Sequence, residues 1–461
     1  MPDLLLGADL GTSGLKLVAL DPDGAVVAQA ERAYAYDRPG PGRAQIDVRT
    51  WRVALDDALA ELGPRLTGAP VRGLGISGQM HGAVLVDAAG TALSPALLWP
   101  DQRAAEELDR WRALTDDQRA ALANPLVPGM TGPLLAWLTR HDPATVARAS
   151  ALLLPKDALR ATLLPGADSA VTDRSDASAT LLWDVVADGW SESAWSAAGA
   201  GRHLRPAVLP SDEVVGVARL PVGEVPVVVG GADTPLALLA AGATSGAQLN
   251  LGTGAQLLRP GLRPLAVADP VVHTYADTGD GWYAMAALQN GGSAWEWACD
   301  VLALSWPEFV EAAASAPAGA GGAVFRPFLT GERGGVAGPL ERGGWSGLHA
   351  GTTRADLARA ALEGVAFAVR AALALLDVAA DDPLLVTGGA TRSGVVPQVL
   401  ADVLGRPVRP LGLRSASAVG AALLAGRGVG LEVDPEREAG PLVEPRGDTD
   451  LEAAFARWSA V

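Results

Sequence analysis

The fold of this chain is decided by a short sequence that occurs twice, as Asp9-Leu10-Gly11-Thr12-Ser13-Gly14 and as Asn250-Leu251-Gly252-Thr253-Gly254-Ala255. Each copy follows an apolar run, and the second lies about half a chain after the first. A strand, a turn of Gly, Thr and Ser, and a second strand form a hairpin whose tip exposes backbone N–H groups and hydroxyls, which suit phosphate oxygens. The repeat therefore predicts two related domains whose hairpins bind one polyphosphate between them.

The two copies differ at their first position, which is Asp9 in one and Asn250 in the other. A carboxylate there can bind Mg²⁺ directly or through its waters, whereas a neutral amide does not repel phosphates from the other side. The alternative for Asp9 is a turn carboxylate that accepts backbone N–H bonds. The further candidates for ATP phosphate contacts are Thr12, Ser13, Lys16, Gly252 and Thr253. Lys16 equally fits an exposed strand lysine. The asymmetry favours an ATP-using enzyme.

Composition and charge narrow the class of protein. The chain has 461 residues, is 49% hydrophobic, and carries a formal net charge of −16, which argues against nucleic acid or an acidic membrane as partner. The single cysteine, Cys299, excludes an internal disulfide framework and is interpreted as core filler. No uncharged apolar stretch approaches the roughly 18 residues that cross a bilayer, and no signal peptide precedes the first hairpin. We therefore expect a cytoplasmic protein.

Hydrophobic patterning along the chain is typical of an α/β protein. Residues 101–211 predict a mainly helical insertion that shapes a pocket. A continuous apolar run at 225–229 predicts a buried strand that opens a new α/β unit, so we place a domain boundary near Gly223, between an N-terminal domain (1–223) and a C-terminal domain (224–461). In the latter, Thr353 is expected to cap a helix reaching about Ala379.

Five stretches, in this order, resemble the FGGY carbohydrate kinases. They are Asp9-Leu10-Gly11-Thr12-Ser13-Gly14-Leu15-Lys16, Gly78-Gln79-Met80-His81-Gly82, Leu154-Pro155-Lys156-Asp157, Gly230-Gly231-Ala232-Asp233 and Gly388-Gly389-Ala390. The resemblance implies a duplicated actin-like, ribonuclease H-like fold with ATP, Mg²⁺ and sugar in the cleft between two domains. It also implies a homodimer and favours D-xylulose as substrate; another ketose, a pentitol or a sugar acid stays open.

The general base implied by the resemblance is Asp233, which would take the proton of the sugar hydroxyl during phosphoryl transfer. From the sequence alone, a strand-end carboxylate that caps the helix beginning near Thr234 is the alternative. Thr234 stands where Asn is common in the family, so its contact with a sugar hydroxyl is altered.

The sugar is expected against Gln79, Met80 and His81, where the imidazole can hydrogen-bond a hydroxyl and the thioether offers an apolar wall. Trp99, Asp101 and Arg103 resemble a further family segment near the sugar. For that segment an ordinary helix start, with Asp101 near its N-terminus, is the alternative. Pro100 replaces a small polar residue of the family here.

The adenosine of ATP is expected against Gly388, Gly389, Ala390 and Ser393, because small residues leave room for a flat base. A plain α/β turn is the alternative. The match departs from the family at Gly334-Gly335, where Thr-Pro is usual, and at Ser415-Ala416-Ser417-Ala418, where an acidic residue is common. A rival of another class is an actin-like ATPase of assembly or chaperone type, which the hairpins alone do not exclude.

Overall fold

The computed structural model describes residues 2–164, 166, 170–333, 335–379 and 382–460. Gly334, half of the Gly334-Gly335 departure, lies outside the described residues.

The first half of the chain supplies fifteen strands and nine helices within the described residues. The strands are β1 (Leu4–Leu10), β2 (Gly14–Leu20), β3 (Val26–Ala33), β4 (Gln45–Ile46), β5 (Val71–Gly78), β6 (Val84–Val86), β7 (Ala96–Leu97), β8 (Ala151–Leu153), β9 (Val171–Asp173), β10 (Trp183–Asp184), β11 (Gly189–Trp190), β12 (Ala207–Leu209), β13 (Val214–Leu220), β14 (Gly223–Val228) and β15 (Gly231–Ala232). The helices are α1 (Val48–Leu66), α2 (Leu108–Arg112), α3 (Asp116–Leu122), α4 (Thr131–His141), α5 (Pro143–Arg148), α6 (Pro155–Leu163), α7 (Arg174–Ser178), α8 (Glu192–Ala198) and α9 (Asp233–Ala241).

The second half supplies nine strands and six helices within the described residues. The strands are β16 (Ala247–Leu251), β17 (Ala255–Pro260), β18 (His273–Ala276), β19 (Trp282–Leu288), β20 (Val324–Arg326), β21 (Gly344–Ser346), β22 (Leu384–Thr387), β23 (Val408–Gly412) and β24 (Glu438–Ala439). The helices are α10 (Gly292–Leu302), α11 (Trp306–Ser315), α12 (Arg354–Ala374), α13 (Val395–Leu404), α14 (Ala416–Gly428) and α15 (Thr449–Ser459), with short 3-10 turns at Arg202–Leu204, Ala320–Gly322 and Gly389–Arg392.

Two seven-stranded sheets repeat one topology. The first has the order β13-β14-β5-β1-β2-β3, with β15 also paired with β5, and the second has the order β18-β19-β17-β16-β22-β23-β24. In each, an antiparallel meander (β1-β2-β3 or β16-β17-β19) is joined by two strands parallel to its first strand (β5 and β14, or β22 and β23). The predicted duplication is confirmed at the level of strand order and direction.

Helices cover both faces of the first sheet. The alternating residues of β1 divide between them: Leu4, Leu6 and Ala8 pack in the cluster that contains α1, while Leu5 packs with α14. Helices α9 and α14 pack against each other on this second face. The paired glycines Gly7 and Gly75 permit the approach, because a Cβ there would lie 1.9 Å from a carbonyl oxygen of α14.

The domain boundary differs from the prediction. β14 and β15 pair with β5, and the second sheet begins only with β16 at Ala247. A boundary near Gly223 therefore falls inside the chain that builds the first sheet. An apolar run does not reveal its pairing partner, so the sequence placed the boundary too early. Helix α14, although late in the chain, returns to the first sheet.

The remaining elements follow the sequence closely. The insertion at 101–211 contains helices α2–α8 and small two-stranded sheets such as β9·β12 and β10·β11. Thr353 caps α12 through a capping box with Asp356, as expected, although the helix ends at Ala374. Cys299 is buried in the second domain's core. None of the helices in the described residues is long and apolar enough to cross a membrane.

Candidate active site

Three parallel strand ends bring the carboxylates together. In register, Asp9 of β1 lies beside Ser77 of β5, and Ser77 lies beside Gly231 of β15. Ser77 Oγ donates to Asp9 Oδ1 at 2.9 Å. Asp233 follows β15 directly as the first residue of α9. Because carboxyl ends of parallel strands meet at one edge of a sheet, Asp9 and Asp233 lie on either side of Ser77.

Burial perturbs both carboxylates, and the charge of Asp9 further perturbs Asp233. Burial raises the pKa of Asp9, against the opposing effects of the Ser77 hydrogen bond and the charge of Lys16. Burial first, and then the charge of Asp9, raise the pKa of Asp233 from 3.8 to about 7. Thr234 partly offsets this, since its N–H and hydroxyl donate to Asp233 Oδ1 at 2.7 and 3.2 Å. Asp233 can therefore exchange a proton near neutral pH.

The second sheet carries a neutral copy of this arrangement. Asn250 lies beside Thr387 in the register of β16 and β22, as Asp9 lies beside Ser77. Thr387 Oγ1 donates to Asn250 Oδ1 at 2.8 Å, and Gln248 Nε2 donates to the same oxygen at 2.6 Å. Asn250 is thus fixed without charge, at the position where the first domain has a carboxylate.

A cavity of about 660 Å³ opens beside the second hairpin. Its lining includes Gly252 and Thr253 at the hairpin tip and Gly389 and Ala390 after β22, together with Trp295 and residues of α10. Four residues predicted for the nucleotide therefore line one space. Gly388 turns the chain into it with φ +124°, and a Cβ at Gly388 would lie 2.0 Å from Leu251 O. Ser393 is not among the lining; its Oγ accepts from Val395 N at the start of α13.

The tip of the first hairpin is tied to the end of β5. Thr12 Oγ1 donates to Gln79 Oε1 at 3.2 Å, and Gln79 Nε2 donates to Gly11 O at the same distance. Trp99 Nε1 donates to Thr12 Oγ1 at 2.8 Å. The buried Gln79 thus holds the hairpin, and the exposed indole of Trp99 extends from it.

The other two candidates on this hairpin lie differently. Ser13 is exposed at the tip, and its carbonyl accepts from Tyr34 N. Lys16 lies opposite Asp9 in the β1–β2 register, and its Nζ lies 3.9 Å from Glu31 on β3. The position of Lys16 agrees with an exposed strand lysine whose charge still reaches Asp9.

Met80 and His81 stand at a sharp turn after β5. His81 has φ +67°, and its Nδ1 donates to Ala179 O of the insertion at 2.6 Å. Burial lowers the pKa of His81 to about 4, so the ring is neutral and its Nε2 is a hydrogen-bond acceptor. Tyr283 OH lies 3.7 Å from the buried Met80 sulfur. The pair offers an acceptor and an apolar surface.

Residues that sequence reasoning missed complete this side of the cleft. His273 and Tyr275, two apart on β18, share a hydrogen bond of 2.7 Å, and the Tyr275 ring lies 6.0 Å from that of His81. The guanidinium of Arg333 lies 5.9 Å over the Trp99 ring, and this group has no hydrogen-bond or ion-pair partner among the described residues. The spacing of the two rings on one strand face was a signal, but only folding shows which strand reaches His81.

Glu332 explains how Arg333 is presented. Its buried carboxylate accepts hydrogen bonds from Gln289 N at 2.6 Å, Arg333 N at 2.9 Å and Asn290 Nδ2 at 3.0 Å. The loop is thus fixed to the end of β19, which directs the adjacent guanidinium toward the first domain.

Asp101 and Arg103 form a buried pair with structural partners. Asp101 is fully buried and accepts from Ala44 N at 2.6 Å and from Arg103 Nε. Arg103 also donates to Gln45 Oε1 at 2.9 Å and lies over the Trp137 ring. The helix-start alternative does not describe this segment, because the next helix begins only at Leu108. The contacts of both side chains named above are with protein groups, so the pair has a structural role whether or not it also lies near the sugar.

No three His, Cys, Asp or Glu side chains gather as a ligand set in the part of the chain that the structure describes. Mg²⁺ does not need such a set, because it usually keeps several waters and takes one or two carboxylates with substrate phosphates. Asp9 and Asp233, two carboxylates that repel each other, fit that requirement.

Comparison with known proteins agrees with this geometry. The models of the FGGY family of carbohydrate kinases match residues 4–240 (N-terminal domain) and 247–429 (C-terminal domain). A xylulose kinase of Escherichia coli (strain K12) is 34% identical over 447 residues, 94% of this chain and 91% of that protein. A xylulose kinase structure from Brucella ovis has TM-score 0.88 at 29% identity and covers 99% of this chain and 98% of its own. A gluconate kinase structure from Lactobacillus acidophilus shares the fold, with TM-score 0.90 at 21% identity over 100% of this chain and 96% of its own.

The family models fall on the two sheets described above and leave the gap between them at 241–246, just ahead of β16. The relatives extend over nearly the whole chain, so the two hairpins, the strand-end carboxylates and the insertion are all included. This chain therefore belongs to the FGGY family of carbohydrate kinases and is a sugar phosphotransferase whose phosphate donor is ATP.

Proposed function

We propose that the protein phosphorylates D-xylulose at its terminal 5-hydroxyl, with Asp233 as general base. The observation that carries the proposal is the position of Asp233 at a strand end beside Asp9, with a pKa raised to about 7. A base with a pKa near the operating pH is best matched to proton transfer. The xylulose kinases named above support the choice of sugar, because they are similar over nearly the full length.

Asp233 would act on the proton of the sugar hydroxyl. As the hydroxyl oxygen bonds to the γ-phosphorus of ATP, the bond from that phosphorus to the ADP oxygen breaks, and the hydroxyl proton passes to an Asp233 carboxylate oxygen. Thr234, which donates to Oδ1, would keep the carboxylate oriented while Oδ2 faces the substrate.

Mg²⁺ would be bound through Asp9, with Ser77 fixing one carboxylate oxygen by its hydrogen bond. When bound, the ion neutralises charge on the phosphates of ATP. Thr12 and Ser13 in the first hairpin, and Gly252 and Thr253 in the second, would donate to phosphate oxygens. Lys16 would contribute only its charge.

The nucleotide and the sugar would occupy opposite sides of these carboxylates. Gly388, Gly389 and Ala390 would face adenosine in the cavity beside the second hairpin, and Ser393 would act indirectly by capping α13. On the other side, Gln79, Met80, His81 and Trp99 would form the sugar site, supported by Asp101 and Arg103. Closure of the two domains would exclude water and so limit futile hydrolysis of ATP.

One observation favours a second substrate class. The guanidinium of Arg333 lies in this cleft without an acceptor among the described residues, and a carboxylate is its best partner. A sugar acid such as gluconate is therefore the second candidate. A neutral ketose would instead hydrogen-bond to this guanidinium through its hydroxyls, and would form fewer charge-assisted hydrogen bonds than the carboxylate of a sugar acid.

The test is ADP release with Mg-ATP across D-xylulose, L-xylulose, D- and L-ribulose, gluconate, glycerol and pentitols. We expect D-xylulose to exceed the others in kcat/KM by more than about tenfold, which is about 1.4 kcal/mol. Asp233→Ala should abolish turnover, whereas Asp23→Ala, which removes an exposed carboxylate on the β2–β3 turn, should not change it.

Two results would contradict the proposal. A preference for gluconate would contradict D-xylulose as the substrate but would leave Asp233 as the proposed base. Absence of any sugar-stimulated turnover, together with assembly that depends on protein concentration, would favour the actin-like assembly function.

A further inference from the structure

The stretch Leu154-Pro155-Lys156-Asp157 has no role in the chemistry above, yet it begins a buried ion cluster. We define the buried ion cluster as Lys156, Asp157, Arg160, Asp173 and Asp176, each at most 1% exposed. Lys156 and Arg160 come from α6, Asp173 ends β9, and Asp176 lies in α7. Burying five ionisable groups is costly, because each loses its hydration.

The cluster is internally paired around one ammonium. Lys156 Nζ lies 2.6 Å from Asp157, 3.1 Å from Asp173 and 3.2 Å from Asp176, and Arg160 lies 2.7 Å from Asp157. Burial and the neighbouring carboxylates raise the pKa of Asp176 well above its ordinary value, against the effect of Lys156. Two cations therefore face three carboxyl groups, of which Asp176 is one whose charged form burial disfavours.

The cluster reaches the active site through one hydroxyl. Ser175 Oγ donates to Asp173 Oδ2 at 2.5 Å and accepts from the backbone N–H of Ala232 at 2.9 Å. Ala232 is the residue before Asp233 and the N-cap of α9, and its own side chain provides no cap. Ser175, which is fully buried, therefore satisfies a backbone donor one residue from the proposed base.

Other contacts fix the same segment. Arg160 Nη1 donates to Val229 O, and Gly230 N donates to Ser211 O at 2.9 Å. Gly230 has φ +87°, and a Cβ there would lie 2.2 Å from Ile76 O. The chain from 229 to 232 is thus fixed at nearly every residue, in a conformation that carries Asp233 to the strand edge.

The cluster also supports the neighbouring strand. A Cβ at Gly78 would lie 2.7 Å from Lys156 Cβ, so the end of β5 rests directly on the start of α6. Gln79, which ties the first hairpin, follows immediately. Lys156 therefore contacts the end of β5 through its Cβ and backbone, and its ammonium reaches the segment before Asp233 through Asp173 and Ser175.

We propose that Ser175, fixed by Asp173 and Lys156, is a positioning residue that sets the place of the Asp233 carboxylate through the Ala232 N–H. This inference rests on the proposed role of Asp233. A cluster of buried ions is a poor source of stability, because apolar side chains of similar volume commonly do as well. Its geometry, in contrast, is directional, and displacement of a catalytic group by about 1 Å can cost about 100-fold in rate.

The chain offers a matched control in Ser211. Its Oγ donates to the same Asp173 Oδ2, at 2.8 Å, and it is 3% exposed, but its hydroxyl has no bond to Ala232. Ser175→Ala and Ser211→Ala thus remove equal groups from one carboxylate, and only the first releases the backbone before Asp233.

The experiment measures kcat, both KM values and thermal stability for the two variants with the preferred sugar and Mg-ATP. Ser175→Ala should lower kcat by about tenfold or more, with both KM values within about twofold, since position and not binding is lost. Ser211→Ala should keep kcat within about twofold and lose a similar amount of thermal stability.

Equal loss of kcat in the two variants, or an unchanged kcat in Ser175→Ala, would overturn the inference. If Ser175→Ala does not fold, Ser175→Cys, whose thiol is a weaker acceptor, must still lower kcat relative to Ser211→Ala. Asp233→Ala distinguishes failure of the proposed general base from failure of the positioning role of Ser175. Sugar-stimulated turnover that survives in Asp233→Ala refutes the base itself, whereas an inactive Asp233→Ala with equal serine variants refutes only the positioning role.

Discussion

Replacing Asp233 by Asn should stabilise the protein at alkaline pH while destroying its activity. Burial and the charge of Asp9 raise the pKa of Asp233 to about 7, above its ordinary 3.8. Between these values the folded protein holds a proton that the unfolded chain has released. Stability of the wild type therefore falls as pH rises through this range, and the loss is complete above pH 7. Asn keeps the acceptor for Thr234 N without the charge.

The magnitude follows from the same pKa. From pH 5 to the folded-state pKa of about 7 lie two pH units, which at about 1.4 kcal/mol per unit set an upper limit of about 3 kcal/mol. Asp233 is partly exposed, so water screens part of the charge. We expect the stability gap to widen by about 1–2 kcal/mol between pH 5 and pH 8, or roughly 1–4 °C in Tm for a protein of this size.

The assay is thermal unfolding of wild type and Asp233→Asn from pH 5 to pH 8.5, without nucleotide or Mg²⁺. Asp23→Asn, an exposed carboxylate exchange far from the site, is the control and should leave the gap constant. Addition of Mg²⁺ should stabilise the wild type more than Asp233→Asn. A gap between wild type and Asp233→Asn that is independent of pH, or that narrows as pH rises, would refute the argument that burial and the charge of Asp9 raise the pKa of Asp233 in the folded state.

Three further predictions concern the two ligand sites. Gly389→Ala should raise the KM for ATP about tenfold without changing Tm, because its Cβ enters open space, whereas Gly388→Ala, at φ +124°, should destabilise by more than about 1 kcal/mol; equal Tm values would contradict this contrast. Arg333→Gln should raise the sugar KM about tenfold and leave the ATP KM unchanged, since an unpaired cation is lost from the sugar side. An unchanged sugar KM would remove Arg333 from the site. Trp99→Phe should raise the sugar KM by up to about tenfold, because the 2.8 Å hydrogen bond from the indole to Thr12 is lost, and kcat is measured alongside as the internal check. A rise in the ATP KM alone would show that the indole does not belong to the sugar site.

Local sequence was sufficient for the elements that build the site. The hairpins β1–β2 and β16–β17 form where Gly, Thr and Ser interrupt apolar runs, and Asp9 and Asn250 occupy equivalent register positions as the repeat predicts. The N-cap of α12 at Thr353 could also be predicted, because it depends on two residues three positions apart. Interactions over a few residues are encoded in the segment that makes them.

Contacts between segments that are distant in the chain could not be predicted from the local sequence. The run at 225–229 looks like the start of a new sheet, yet its strand pairs with β5. His273, Tyr275 and Arg333 carry no local sign of their approach to His81 and Trp99. Pairing partners and cross-domain contacts depend on how whole layers pack, which no short motif specifies.

The sequence by itself determined the duplicated hairpins, the family and the carboxylate at position 233, because each is written in a few adjacent residues. The tertiary structure alone decided that Asp101 and Arg103 are a buried pair, that Asp9 lies close enough to raise the pKa of Asp233, and that Lys156 contacts the end of β5. Burial and electrostatic interaction depend on the distances between groups far apart in the chain, and only the folded arrangement of both sheets sets those distances.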